Sequence, residues 1–385
     1  MEGPNNNLSK LDTPCLLLDT ARMERNISTL KRRLDGLGVK LRPHMKTAKS
    51  LEVAKVLLEG TGDTITVSTL KEAEEFAGAG ITDMIYAVGI SPQKLDRINR
   101  LRRKGVDLKV ILDSKEQAAA LAGYVEQTAD PIGALIEIDC DGNRSGVKPH
   151  EKETLLEIAR ILRDGGARLE GVLTHAGSSY DVKGRAAIAA AAEQERSAVV
   201  DAAEILREGG FSCPIVSVGS TPTAYFAGDL TGVTEVRAGV FVFFDLVMAG
   251  IGVCTVGDIA ISVLTTVIGH EKEKGWVIVD AGWMAMSRDR GTARQNTDQG
   301  YGLVCNERGE VIDDLIMTSA NQEHGIIARR SGGPDPSNDL LKELPVGTRL
   351  RILPNHACAT AAQHQQYQLI ENHQHKGVWT RFNGW

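Results

Sequence analysis

The sequence predicts an α/β protein built as a (β/α)8 barrel with a second, C-terminal all-β domain. Three observations predict it. From about residue 20 to 250, strand-like and helix-like patterns alternate through eight units. That length is the usual size of such a barrel, roughly 250 residues. No glycine-rich dinucleotide turn follows the first strand-like run, which argues against an open doubly wound sheet. Beyond residue 250 the helical pattern stops, and strand-like runs continue between Gly, Asn and Asp turns.

The elements follow in order. Asp19-Thr20 can cap a helix whose apolar positions Met23, Ile27, Leu30 and Leu34 recur at three-to-four spacing. A short strand is read at LRPHM, and then a helix carrying Leu51, Ala54, Val56 and Leu58. Further strands are read at ITVS (65–68), MIYAV (84–88), LKVIL (108–112), ALIEID (134–139), GVLTH (171–175), PIVSVG (214–219) and EVRAGVFVFF (235–244). Amphipathic helices are read around 71–79, 92–103, 116–127, 152–162 and 186–206. The β domain is read from ISVLTTVIGH, GWVIVDAGW, GLVCNERGEVI and TRLRILPNHAC, and CLLLD at 15–19 can add a strand to it. The domain reading is therefore a barrel over 20–250 and a β domain over 251–385, joined by 1–19.

Composition narrows the function. The 385 residues carry 44 basic against 50 acidic side chains, a net charge of -6, with no basic run, so nucleic acid and anionic membrane are poor partners. The start of the chain is polar, and the most apolar stretch, 238–254, is interrupted by Asp245 and glycines and is too short to span a bilayer. The expectation is a cytoplasmic protein. Its six cysteines lack CxxC spacing and read as free thiols.

In a (β/α)8 barrel chemistry sits at the C-terminal ends of the strands, and the unusual polar residues fall there. His44 and Lys46 follow the first strand, and Asp139, Asn143 and Arg144 follow the fifth. His175 through Tyr180 (HAGSSY) follows the sixth, Gly219-Ser220-Thr221 the seventh, and Gly239 lies in the eighth. GSTPT suits a phosphate, although the same residues make ordinary turns. Lys46, beside Arg42, His44 and Lys49, is a candidate for a covalent link to a carbonyl compound, or else a surface lysine. In the second domain PNHAC puts His356 and Cys358 two apart, on one face if the run is extended. Imidazole plus thiolate suits zinc, or manganese or another divalent ion, in an open site. His364, His373 and His375 read as a solvated polar tail.

These motifs resemble the fold-type III pyridoxal-phosphate enzymes that act on D-amino acids, namely D-serine dehydratases, D-threo-3-hydroxyaspartate dehydratases and D-threonine aldolases, with the alanine racemase-like fold. The resemblance runs from LDTP at 11–14 through RPHMKT, ITVSTLKEAE, EIDCDGNRSG, GVLTHAGSSY, VSVGSTPT, TEVRAGVFVFFD, DAGWMAMS, ANQEHG and PNHAC to Gly384-Trp385. It implies that Lys46 holds pyridoxal 5′-phosphate covalently, that Arg144 lies near the ring, and that Tyr180 contacts cofactor or substrate. It implies a phosphate held by Gly219, Ser220 and Thr221 with backbone at Gly239 and Val240, and a metal held by His356 and Cys358. Phe241 departs from the Tyr often found at that place.

The resemblance further implies a homodimer acting on a small D-amino acid. His-x-Cys is similar to the dehydratases, where aldolases tend to carry His-x-Asp. A second substrate carboxylate would need donors, and Arg288, Arg290 and Arg294 in SRDRGTARQ, or Gln322 and His324 in ANQEHG, could serve, with His175 also facing substrate. The three arginines could equally be a solvated loop. Rival readings are a D-threonine aldolase, racemase chemistry, and a non-catalytic pyridoxal-phosphate carrier. A carrier needs neither a β domain nor a metal pair.

Overall fold

Residues 8–60, 62–332 and 339–385 are described by the computed structural model. By its contacts the chain divides into two units, Ser28–Gly239 with Phe382–Trp385, and Met1–Ile27 with Val240–Arg381.

The first unit is a parallel barrel. Its strands, in spatial order, are Lys40–Leu41, Glu235–Val236, Ile215–Val218, Arg168–Thr174, Gly133–Ile138, Asp107–Leu112, Asp83–Gly89 and Thr64–Val67. A parallel bridge between His44 and Thr66 joins the two ends, so the ring closes at the segment that carries Lys46. There the Met45 N–H donates to the Thr66 carbonyl (2.8 Å), and the Thr66 N–H to that of Pro43 (2.9 Å).

The strands read as continuous apolar runs because parallel strands are covered on both faces. Ile85, Ile111, Leu135 and Leu173 form one buried cluster. Between them lie the helices Leu51–Leu58, Leu70–Gly78, Leu95–Arg102, Lys115–Thr128, Lys152–Asp164 and Arg185–Glu208. Thr69 and Ser114 cap two of these by accepting backbone N–H bonds from Glu72 and Gln117.

Two strand expectations are corrected. LRPHM forms only the two-residue strand Lys40–Leu41 and the isolated bridge at His44. EVRAGVFVFF is a strand only at Glu235–Val236, and Val240–Val242 is a 3-10 turn closed by Phe243 and Phe244 N–H bonds to the Val240 carbonyl. An unbroken apolar run marks burial, and by itself it does not distinguish strand from turn.

The second unit is a β domain. Six strands close on themselves in the order Trp276–Val279, Gly325–Arg329, Val311–Ala320, Gly302–Asn306, Arg349–Pro354 and Ile261–Glu271. Cys15–Asp19 pairs with Ile261–Glu271 antiparallel and with Gln366–Glu371 in parallel. Gln366–Glu371 in turn pairs with Gln374–Thr380. The segment read as a polar tail is therefore a hairpin of this sheet. Its alternation of polar and apolar residues is that of a strand with one solvated face. His375 Nε2 donates to Gln368 Oε1 (2.9 Å), and His364 Nε2 donates to the Ala285 carbonyl (2.9 Å). Among the described residues no helix is long and apolar enough to cross a membrane.

Candidate active site and its relatives

The barrel rim brings together most of the residues singled out there. Lys46 is exposed, two residues beyond the bridge that closes the barrel. Beside it lie His44, His175 and the buried Arg237. Burial, with Lys46, Arg237 and His175 nearby, holds the His44 imidazole well below its usual range. Burial and the positive charges of Arg144 and Lys46 likewise push His175 down to about 3. Both rings are therefore neutral at physiological pH.

His175 is fixed in orientation. Its Nδ1 is hydrogen-bonded to the Gly219 carbonyl, so in the neutral ring the proton sits on Nδ1 and Nε2 is the acceptor. Tyr180 lies beside it, with ring centroids 6.1 Å apart. Glu195, 1 % exposed on the long helix Arg185–Glu208, braces both segments. Its Oε1 accepts the N–H of Ala176 (2.8 Å) and of Gly219 (3.2 Å).

Arg144 is carried on a folded-back loop. Asp139 Oδ1 accepts the Gly142 N–H (2.7 Å), Asp141 Oδ2 accepts that of Ser178 (2.7 Å), and Val147 bridges back to Ile138. Gly146 at φ +138° permits the fold, since a Cβ there would lie 2.4 Å from the Asp139 nitrogen.

The proposed phosphate segment is a helix start. Ser220 caps Thr221–Phe226, its Oγ accepting the Thr223 N–H (3.1 Å) and bonding to Ser179 Oγ (2.9 Å). Gly219 allows the chain to pass Arg237, whose carbonyl oxygen would be 2.3 Å from an added Cβ. The Gly219 backbone and the Ser220 hydroxyl are thus occupied in building the turn. The N–H groups of Gly239 and Val240, by contrast, have no acceptor among the described residues. Gly239 is also closely approached, with the His44 carbonyl oxygen 3.0 Å from the place of a Cβ. Adjacent unpaired donors beside a position kept free of a side chain fit a phosphate.

Arg237 and Glu195 were not singled out in the sequence. Arg237 donates to Ser217 Oγ and to the Thr174 carbonyl, both at 2.7 Å, inside the barrel. An arginine among apolar residues in EVRAGVFVFF was the available signal. Glu195 sat in an alanine-rich helical run with nothing to mark it.

In the β unit the strand Arg349–Pro354 ends before His356 and Cys358. The expectation of an extended PNHAC is corrected. His356 is the N-cap of the short helix Ala357–Ala361, and Cys358 lies in its first turn, because Pro354 ends the ladder and buried Asp245 accepts the Ala357 N–H (2.9 Å). The two side chains still meet. Burial lowers the His356 pKa, but hydrogen bonds to Asp289 and Cys358 outweigh it and hold the ring up at about 11. Its Nδ1 is 2.8 Å from Asp289 Oδ2. Among the described residues no third His, Cys, Asp or Glu completes a metal-binding group. One imidazole and one thiol side by side suit an open zinc-type site in which water or substrate fills the remaining positions.

Arg288 and the backbone of Asn321 and Gln322 meet the Trp283 turn, and the His324 carbonyl accepts the Asn321 N–H (2.8 Å). The Arg288 guanidinium stacks 4.8 Å over the Trp283 ring, and the N–H groups of Trp283 and Met284 donate to the Asn321 and Gln322 carbonyls. Arg290 differs, since it pairs with Asp298 (2.8 Å). His175 belongs to the barrel unit.

In comparison with known proteins, two family models match successive parts of the chain. Residues 18–247 match the alanine racemase N-terminal domain, and residues 260–370 a putative serine dehydratase domain. The chain is 55% identical to D-threo-3-hydroxyaspartate dehydratase of Delftia sp. strain HT23, over 98% of this chain and 99% of that protein. The crystal structure of that dehydratase superposes with a TM-score of 0.96, covering 98% of this chain and 100% of that one. A cysteine-to-alanine mutant of it is known in a metal-free form. An alanine racemase-like protein of Idiomarina loihiensis is 47% identical with a TM-score of 0.92, covering 98% and 99%. D-serine dehydratase of Dictyostelium discoideum is 28% identical over 97% of this chain and 96% of that one. The chain belongs to the fold-type III, pyridoxal-phosphate-dependent lyase family of the D-serine dehydratases and D-threonine aldolases.

Proposed function

We propose that the protein is a pyridoxal-phosphate- and divalent-metal-dependent lyase that eliminates water from D-threo-3-hydroxyaspartate, yielding oxaloacetate and ammonia. D-serine, yielding pyruvate and ammonia, is a second substrate. The observation that carries this reading is 55% identity to a dehydratase of that name across 98% of the chain.

The residues divide the work. Lys46 Nζ would hold the cofactor covalently and, when freed, would serve as the general base toward the substrate Cα proton. Bound cofactor supplies the electron sink at the ring, and a metal on His356 and Cys358 would act as a Lewis acid toward the departing hydroxyl. Neutral His175, with Nδ1 committed to Gly219, presents Nε2 as an acceptor toward substrate. Arg144 and Tyr180 would border the cofactor, and Thr221 with the Gly239 and Val240 amides would hold its phosphate. Imidazole with thiolate favours zinc, with manganese the alternative. Arg288, placed over Trp283, would receive the second carboxylate of the substrate, with Gln322 and His324 as further candidate donors.

We further propose a homodimer, from the family resemblance. A cytoplasmic location is supported by cysteines that are all free among the described residues. The test of the cofactor assignment is Lys46→Ala, which should abolish both turnover and the visible absorbance of the covalently held cofactor. Retention of both would refute it.

A further inference from the structure

We propose that Asp289 is the positioning residue of the metal site: it holds the His356 ring by Nδ1, so that Nε2 is the nitrogen offered to the metal. This inference rests on the reading that His356 and Cys358 are the metal ligands.

The contact is a single hydrogen bond, His356 Nδ1 to Asp289 Oδ2 at 2.8 Å. A carboxylate at neutral pH only accepts, so the ring must donate from Nδ1. Metal binding displaces the proton on the other nitrogen, so with Nδ1–H committed to Asp289 it is Nε2 that is left to offer its lone pair. Carboxylates placed in this way fix the orientation of a ligating histidine and raise its basicity.

Asp289 is itself fastened by contacts that aim Oδ2 at the ring. Its other oxygen accepts the Gly291 N–H (2.7 Å) and its carbonyl accepts Asn355 Nδ2 (3.0 Å). An added Cβ at Gly291 would stand 3.0 Å from that oxygen and 2.7 Å from Val247, so the turn is shaped for the carboxylate. Asn355 neighbours His356 in sequence, is 2 % exposed, and also bonds Thr292 Oγ1 (2.9 Å) and the Gly300 carbonyl (2.7 Å). On the far side of His356, the Ala357 N–H is anchored to Asp245. The ligand-bearing turn and the Asp289 loop are therefore locked together through the residues on either side of the histidine.

An ordinary ion pair is the competing account. With side chains 43% and 31% exposed, such a pair contributes only about 0–1 kcal/mol to stability. It would leave metal affinity untouched, and this separates the two accounts.

The experiment is a zinc titration of the full-length, cofactor-loaded, metal-stripped protein in competition with a chromogenic chelator. Asp289→Ala should bind zinc about 10–100-fold more weakly than the parent. Asp289→Asn keeps an acceptor without the charge and should recover part of that loss. Asp298→Asn removes an ion pair of the same loop without touching His356, and it should bind zinc as the parent does. Parent-like affinity in both Asp289 variants, or an equal loss in Asp298→Asn, would overturn the proposal. Cys358→Ala tests the underlying reading separately. If it binds zinc as tightly as the parent, the ligand assignment itself fails. If it loses zinc while both Asp289 variants keep it, only the role of Asp289 fails.

Discussion

Glu195 offers a sharp test of how the barrel rim is held. Its Oε1 alone accepts two backbone N–H groups, from Ala176 and Gly219, and these flank the hydrogen bond that fixes His175. Glu195→Ala leaves both donors buried and unpaired. At about 1–3 kcal/mol for each, the loss is about 2–6 kcal/mol. Glu195→Gln keeps an oxygen at the same place, and its amide can face the Thr223 hydroxyl, which already bonds the carboxylate.

The glutamine variant also removes a buried charge. Burial raises the Glu195 pKa above 4.5 despite bonds to Thr223, Ala176 and Gly219 that lower it. A carboxyl whose folded pKa is raised contributes stability below its unfolded pKa and loses it as pH rises through the folded value. At pH 7 Glu195→Gln should therefore be as stable as the parent or more so, with its advantage shrinking as pH falls. The assay is urea unfolding read by circular dichroism, together with native-state hydrogen exchange at the amides of Ala176 and Gly219. Glu195→Ala should lose protection at both amides. A glutamine variant as unstable as the alanine variant, or an alanine variant within about 0.5 kcal/mol of the parent, would refute the reasoning.

Two further outcomes follow from the site. The folded-state pKa of His175 is lowered to about 3 from an ordinary 6.5, so its share of stability is complete above pH 6.5 and is lost as pH falls toward 3. Between those values His175→Gln should flatten the dependence of unfolding free energy on pH by up to about 1.4 kcal/mol per unit, and an unchanged slope would contradict the assignment. Arg288→Gln should lower kcat/KM for D-threo-3-hydroxyaspartate about 10–150-fold, the worth of a charged hydrogen bond, and leave D-serine nearly unaffected. An equal loss for both substrates would remove Arg288 from β-carboxylate recognition.

Much of the architecture was legible because period and burial agree. Met23, Ile27, Leu30 and Leu34 all lie at 3 % exposure or less, as their helical spacing requires. The strand ends carrying His44, Arg144, His175 and Gly219 could be placed from the alternation of elements alone. What failed was local. From 238 to 244 EVRAGVFVFF is apolar throughout, and its turn at Val240–Val242 is set by backbone bonds that leave no mark in residue type. PNHAC bends after Pro354 because a distant buried acid, Asp245, takes the Ala357 N–H.

The same limit explains the overlooked residues. Asp289 was hidden among arginines in SRDRGTARQ, and it becomes visible only when the fold brings it to His356 across an interval of 67 residues. Two of the three arginines of that loop, equivalent in sequence, are told apart by their neighbours. Arg290 is paired with Asp298, and Arg288 is laid on Trp283.

The most direct test of the central claim is product analysis of the purified protein with D-threo-3-hydroxyaspartate and with D-threonine, with and without a chelator. The account predicts oxaloacetate and ammonia from the first, abolished by the chelator and restored by zinc or manganese. Glycine and acetaldehyde from D-threonine as the dominant reaction would contradict it and make the protein an aldolase.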